Sequence, residues 1–187
     1  MFEIRWHARA GQGAVTAAKA LADAALSEGK YIQAFPDYGP ERMGAPVKAY
    51  NRIAESPIRA RGIVERPQVV IIVDPSLAGA EVTEGALEDA VFLVNSTKSP
   101  EEARKVLGVK GRVFTVDATR IAQETIGLRK PNTPMLGAVA KVTGMIQLDT
   151  LLSATEKSFG NKYKRAVVDG NLAAIRRAFE EVKGCDS

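Results

Sequence analysis

The chain opens on alternation: Phe2, Glu3, Ile4, Arg5 and Trp6 switch between apolar and charged residues, and Phe2 to Ala8 is predicted to be a strand. Gly11-Gln12-Gly13 follows at once as a tight turn into an Ala-rich helix from about Ala14 to Ser27. On that helix Val15, Ala18, Ala22, Ala25 and Leu26 share one face, and small side chains there allow close seating on a sheet. Gly29 is placed to stop it. Tyr31 to Phe35 reads as a second strand, after which Pro36, Gly39, Pro40, Gly44 and Pro46 punctuate a long loop. Val47 to Ile53 and Ile58 to Ile63 then read as two extended segments, such as an antiparallel addition to a parallel sheet.

The middle of the chain carries the clearest pattern. Val69 to Val73 ends at Asp74, Val91 to Val94 at Asn95, and Val113 to Val116 at Asp117. Short β-branched or aromatic runs of this kind fit strands buried on both faces. Helical stretches such as Pro100 to Leu107 and Thr119 to Ile126 accompany them, and repeated β-then-α segments call for parallel strands with right-handed crossovers. Gly11, Asp74, Asn95 and Asp117 should then gather outside the carboxyl ends of the strands, where such sheets bind ligands. Beyond Arg129-Lys130-Pro131-Asn132-Thr133-Pro134 the remainder reads as helical. Leu148, Leu151, Leu152, Thr155 and Phe159 form one apolar face, and Val168, Leu172, Ile175, Phe179 and Val182 another. The expected architecture is a single α/β domain over 1–187, a mostly parallel sheet flanked by helices in a Rossmann-like open sandwich, with C-terminal packing helices.

Composition narrows the function classes. In 187 residues, 45% hydrophobic and 26% charged, nothing favours disorder, and no apolar stretch is long enough for a signal peptide or membrane span, so a cytoplasmic protein is expected. Cys185 is the sole cysteine and His7 the sole histidine, so neither an internal disulfide nor a cluster held by this chain's own thiolates is expected. Cys185 itself is expected to be a frayed, exposed thiol. The net charge of +4 is spread along the chain, without the basic stripe and interleaved aromatics of a nucleic-acid binder.

The sharpest local signal is Gly11-Gln12-Gly13-Ala14, since glycines between a strand and a helix let backbone N–H groups approach a phosphate at the positive helix end. The third small residue of a dinucleotide fingerprint is missing, and Asp37 sits poorly for its ribose-binding acid. Spacing alone leaves phosphate contact and a purely structural turn both open. His7 lies on the same strand face as Arg5 and is expected to be hydrogen-bonded or packed in the sheet rather than catalytic. Asp74 and Asp117 are placed to accept bonds from neighbouring helix starts, no acid/base pair stands out, and no G-x-S-x-G elbow is present. The loop from Tyr38 to Pro46 combines Glu41, Arg42 and Met43 with permissive backbone, a mixture suited to an interface.

Several ordered blocks together resemble the gamma subunits of pyruvate and related 2-oxoacid:ferredoxin oxidoreductases. They are Ile4-Arg5-Trp6-His7 with Arg9-Ala10-Gly11-Gln12-Gly13-Ala14, then Gln33 to Arg42, Gly44-Ala45-Pro46 and Tyr50-Asn51-Arg52-Ile53. Val116-Asp117-Ala118-Thr119 and Pro131 to Ala138 continue the likeness over nearly the whole chain. The resemblance implies a complex interconverting pyruvate and coenzyme A with acetyl-CoA and CO2, using ferredoxin as external electron partner. It implies alpha, beta and ferredoxin-like delta subunits that carry thiamine diphosphate, Mg, 4Fe–4S clusters and CoA, and a noncatalytic, assembling role for this chain, bound to neither nucleic acid nor membrane. Arg9, Gly11, Gln12 and Gly13 are the expected phosphate or CoA contacts; Tyr38, Glu41, Arg42, Met43, Asn132, Thr133 and Met135 are the expected interface. The Gly-Ala-Pro block looks like pyruvate and branched-chain members. Two alternatives are a stand-alone nucleotide- or CoA-binding module and the gamma subunit of a branched-chain 2-oxoacid complex.

Overall fold

The computed structural model describes residues 1–37 and 44–185. Its strands are β1 (Phe2–Arg9), β2 (Tyr31–Asp37), β3 (Pro46–Ala54), β4 (Val69–Ile72), β5 (Val91–Asn95), β6 (Val113–Val116) and β7 (Lys183–Cys185). The β-branched runs occupy the middle of the sheet because it is covered on both sides there: β4 and β5 are buried at every position. The order is β2-β3-β1-β4-β5-β6-β7. β1, β4, β5 and β6 are mutually parallel, and β2 points the same way because it is antiparallel to β3, which is antiparallel to β1. Only β3 and β7 run against the rest.

The helices are α1 (Ala14–Ser27), α2 (Ala80–Thr83), α3 (Pro100–Leu107), α4 (Ala118–Ile126), α5 (Asn132–Thr143), α6 (Leu148–Gly160) and α7 (Arg165–Glu181). One face of β1 sends Ile4, Trp6 and Ala8 into the larger core, built with α1 and α4 to α7. The polar atom this burial brings along is satisfied: the indole N–H of Trp6 donates to Asn51 Oδ1 at 2.8 Å, and Asn51 donates to the carbonyl of Ala18 at 2.7 Å. On the opposite face Val70, Ile72, Phe92 and Val94 meet Val82, Ala103 and Leu107 in a smaller core. Helix α5 is apolar nearly all round, buried from Thr133 to Ala140, and so runs through the larger core.

Two expectations need correction. Residues 58–63 form no strand: Arg52 donates to the carbonyls of Gly62 and Ile63, and Gln33 to that of Ala60, so side chains take up the acceptors a ladder would use. Cys185 is not a frayed end. It lies in β7, which pairs antiparallel with β6, its carbonyl accepts from Arg104 at 2.9 Å, and it packs against the smaller core. No local apolar pattern marks Lys183-Gly184-Cys185 as a strand; Gly184 fits there because Phe114 occupies the space of a side chain.

Candidate functional site

The carboxyl ends of β1, β4, β5 and β6 bring together the polar residues at which those strands stop. Gln12 is the clamp of the glycine turn: its Oε1 accepts from the backbone N–H of Arg9 at 2.8 Å, and its Nε2 donates to Asp74 Oδ2 at 2.6 Å. Arg9 donates to Ser76 Oγ and to the Gly44 carbonyl, and its Nε stands 3.6 Å from Asp74. Burial works to raise the Asp74 carboxyl, but bonds from Ser76 and Gln12 and the charge of Arg9 outweigh it and hold it below its ordinary value. Asp74 caps the short 3-10 turn at Pro75–Leu77, and Asp117 caps α4. Asn95 donates to the Val73 carbonyl and to Thr119, tying β5 to its neighbours.

Gly13 precedes α1 in the left-handed conformation, φ 82°, and gives the helix no side-chain cap. Its missing side chain has a definite neighbour: a Cβ there would lie 2.7 Å from Nδ2 of Asn132, the first residue of α5. The starts of two helices therefore meet at Gly13, and their first-turn N–H groups lack intrahelical acceptors. Gly11 has open space on the same turn. The arrangement suits an anion held by backbone N–H groups and the Asn132 amide, with Arg9 and Gln12 bracing the turn through bonds already made. Asn132 is half-buried beside this turn, whereas Thr133 keeps 5% exposure and Met135 none, so those two side chains are withdrawn from the expected interface. Tyr38, Glu41, Arg42 and Met43 lie outside the described residues.

A second feature was not foreseen from the sequence. On the other face of β1 the register sets His7, Lys48 and Asp37 in a row across β1, β3 and β2. They line a cavity of about 190 Å³ with Pro46, Val47, Leu77, Glu81 and Val82. His7, 3% exposed, accepts at Nε2 from Arg5 Nε at 3.0 Å, and Arg5 donates onward to the carbonyls of Val82 and Glu84. A guanidinium can only donate, so the imidazole is neutral and its proton sits on Nδ1. Burial, with Arg5 and Lys48 nearby, lowers the His7 pKa from 6.5 to about 3. Burial, with Asp37 accepting from its hydroxyl at 3.0 Å, pushes Tyr50 up to about 12. The signal available in the sequence was the alternation of Arg5, His7 and Arg9 on one strand and Lys48, Tyr50 and Arg52 on another; which strands pair was not readable from it. Among the described residues no group of three His, Cys, Asp or Glu side chains is placed to hold a metal ion, and no helix is long and apolar enough to cross a membrane.

Residues 3–181 match the family model described as pyruvate ferredoxin/flavodoxin oxidoreductase. The chain is 51% identical to pyruvate synthase subunit PorC of Thermotoga maritima over 97% of its own length and 95% of the relative's. It is 48% identical to the pyruvate/ketoisovalerate oxidoreductases common subunit gamma of Pyrococcus abyssi, over 98% of each. The crystal structure of the Thermotoga maritima pyruvate oxidoreductase subunit superposes with a TM-score of 0.89 at 47% identity, covering 99% of this chain and 98% of that one. The same fold recurs at 19% identity and a TM-score of 0.76 in 2-oxoglutarate:ferredoxin oxidoreductase from Magnetococcus marinus, where 99% of this chain covers 32% of the larger one.

Proposed function

Because the chain belongs to the pyruvate ferredoxin/flavodoxin oxidoreductase family, as a gamma subunit of the 2-oxoacid:ferredoxin type, we propose that it assembles with three companion chains into a cytoplasmic pyruvate synthase. The companions are an alpha-type chain, a thiamine-binding beta chain and a ferredoxin-like delta chain. The complex interconverts pyruvate and CoA with acetyl-CoA and CO2, exchanging electrons with ferredoxin. The observation that carries the reading is 51% identity to a pyruvate synthase subunit along 97% of the chain. One sheet with cores on both faces supports treating 1–187 as one domain. Anaerobic isolation of the native chain is expected to bring down larger iron–sulfur and thiamine-containing partners, and recovery of the chain alone would defeat the reading. The Pyrococcus abyssi relative's name, a gamma subunit common to two complexes, favours a second reading in which a ketoisovalerate complex shares this chain.

Within that complex the glycine turn is assigned the phosphate end of CoA. Thiamine diphosphate, Mg and the 4Fe–4S clusters, carried by the companions, supply the decarboxylation and electron-transfer chemistry. This chain's own part is to bind and orient. Gly11 and Gly13 let backbone N–H groups face the ligand, Asn132 adds an amide donor, and the Arg9–Asp74–Gln12 braces keep the turn from collapsing. Asn132→Asp tests this cleanly, because an acid in the first turn of a helix favours folding while repelling phosphate. The expected result is an intact complex whose KM for CoA rises about tenfold with KM for pyruvate unchanged. An unchanged KM for CoA would remove the turn from the CoA site.

A further inference from the structure

The cavity on the Arg5 face of β1 belongs to neither the glycine turn nor the sheet's packing, and its lining is specific. We propose that it is a binding site for a short-chain monocarboxylate, whose oxygens are received by His7 Nδ1–H and the Lys48 ammonium. The first support is His7 itself. It is 97% buried, since only 3% of it is exposed, yet it lines the cavity. Its Nε2 is occupied by Arg5, and no described residue partners Nδ1. Among the described residues Nδ1 is not one of the enclosed polar atoms left without a partner, so it is open to the cavity and its hydrogen bond is available to an acceptor arriving there.

The second support is an occupant already present. Glu81 Oε1 stands 3.5 Å from Lys48 Nζ at the cavity rim, on side chains 71% and 33% exposed. An exposed pair of that kind contributes little, so Glu81 acts as a placeholder that a ligand carboxylate displaces from Lys48 at small cost. Unlike Glu81, the ligand also reaches His7. The hydrogen bond from Arg5 keeps the imidazole proton on Nδ1 and thereby makes the donor permanent, and the buried guanidinium behind it adds positive potential. Asp37, whose Oδ2 accepts from the Tyr50 hydroxyl, places an acidic side chain in the lining, and that disfavours a guest with more than one negative charge. Leu77, Val82, Pro46 and Val47 form the apolar wall for a short tail. The volume of about 190 Å³ is many times the roughly 10–15 Å³ that one water needs.

His7 is the only histidine, so the full chain labelled with ¹⁵N-histidine gives one imidazole signal as reporter. Titration with propionate is expected to shift the His7 Nδ1–H resonance saturably, with a Kd of roughly 1–10 mM, the range open to so small a ligand. Propionamide, the neutral isostere, and sodium chloride at matched ionic strength are expected to leave it in place. Lys48→Gln should weaken propionate about tenfold, whereas Glu81→Gln, which removes the competitor, should tighten it about threefold. A merely structural Lys48–Glu81 pair predicts no such opposition. The proposal is overturned if propionate gives no saturable shift up to about 0.2 M, if propionamide matches it, or if the two variants move the affinity in the same direction. None of these readouts involves the assembled complex or CoA, so the result stands apart from the assignment of the glycine turn.

Discussion

Gly137→Ala is expected to destabilise the chain by about 3 kcal/mol, read as a lowered urea midpoint with an unchanged slope. The reason is the crossing of α5 and α7. A Cβ at Gly137 would lie 2.0 Å from the carbonyl oxygen of Ile175 and 2.8 Å from its carbon, so the clash is with backbone and cannot be relieved by turning a side chain. Helix α5 is enclosed by the core that it helps to build, and pushing α7 away opens contacts around Leu172, Ile175 and Ala178. Gly160→Ala is the control. That glycine ends α6 with nothing near its missing Cβ, and alanine's higher helix propensity makes a neutral or slightly stabilising outcome the expectation. A loss below about 0.5 kcal/mol at Gly137 would show that the helices do not cross as closely as described.

Much of this architecture was legible because it rests on local pattern. The helix Ala14–Ser27, the strand Val113–Val116 and the helix Pro100–Leu107 begin and end where the spacing puts them, since glycine, proline and serine boundaries act through the nearest few residues. What was not legible depends on residues far apart in sequence. Nothing near 58–63 reveals that Arg52 and Gln33 will claim its carbonyls, and nothing in Lys183-Gly184-Cys185 reveals the open edge of β6 that it covers. The site divides in the same way. The glycine turn was visible from its spacing, but the contact of Gly13 with Asn132 and the clamp from Gln12 to Asp74 span separations that only the folded sheet closes. The His7 cavity needed the register of three strands, and a lone histidine gave no hint of it.

The same histidine sets the largest pH effect expected in this chain. Its folded pKa, about 3, lies below its ordinary 6.5. Between those values the unfolded chain binds a proton that the folded chain refuses, so stability falls as pH drops through 6.5 and goes on falling towards 3. At roughly 1.4 kcal/mol per pH unit the loss reaches about 2 kcal/mol by pH 5 and close to 4 by pH 3.5. Among the described residues, the groups around the imidazole are Arg5 on its own strand, Lys48 and Tyr50 on β3, Asp37 on β2 and Glu81 on α2. Arg5 and Lys48 oppose a second positive charge, and burial opposes it most. Glu28, Asp74 and Glu181 have lowered pKa values, so their contributions are present above the ordinary carboxyl range and are lost only below it. The window from pH 6.5 to 5 therefore isolates His7. Chemical unfolding at half-unit steps across it should give a slope that climbs from about 0.7 kcal/mol per unit at pH 6.5 to about 1.3 at pH 5, and His7→Gln, which still accepts from Arg5 and carries no titrating proton, should flatten it. Equal slopes in both proteins would mean that the imidazole takes up its proton without leaving the fold, and that the Arg5 hydrogen bond does not hold it neutral.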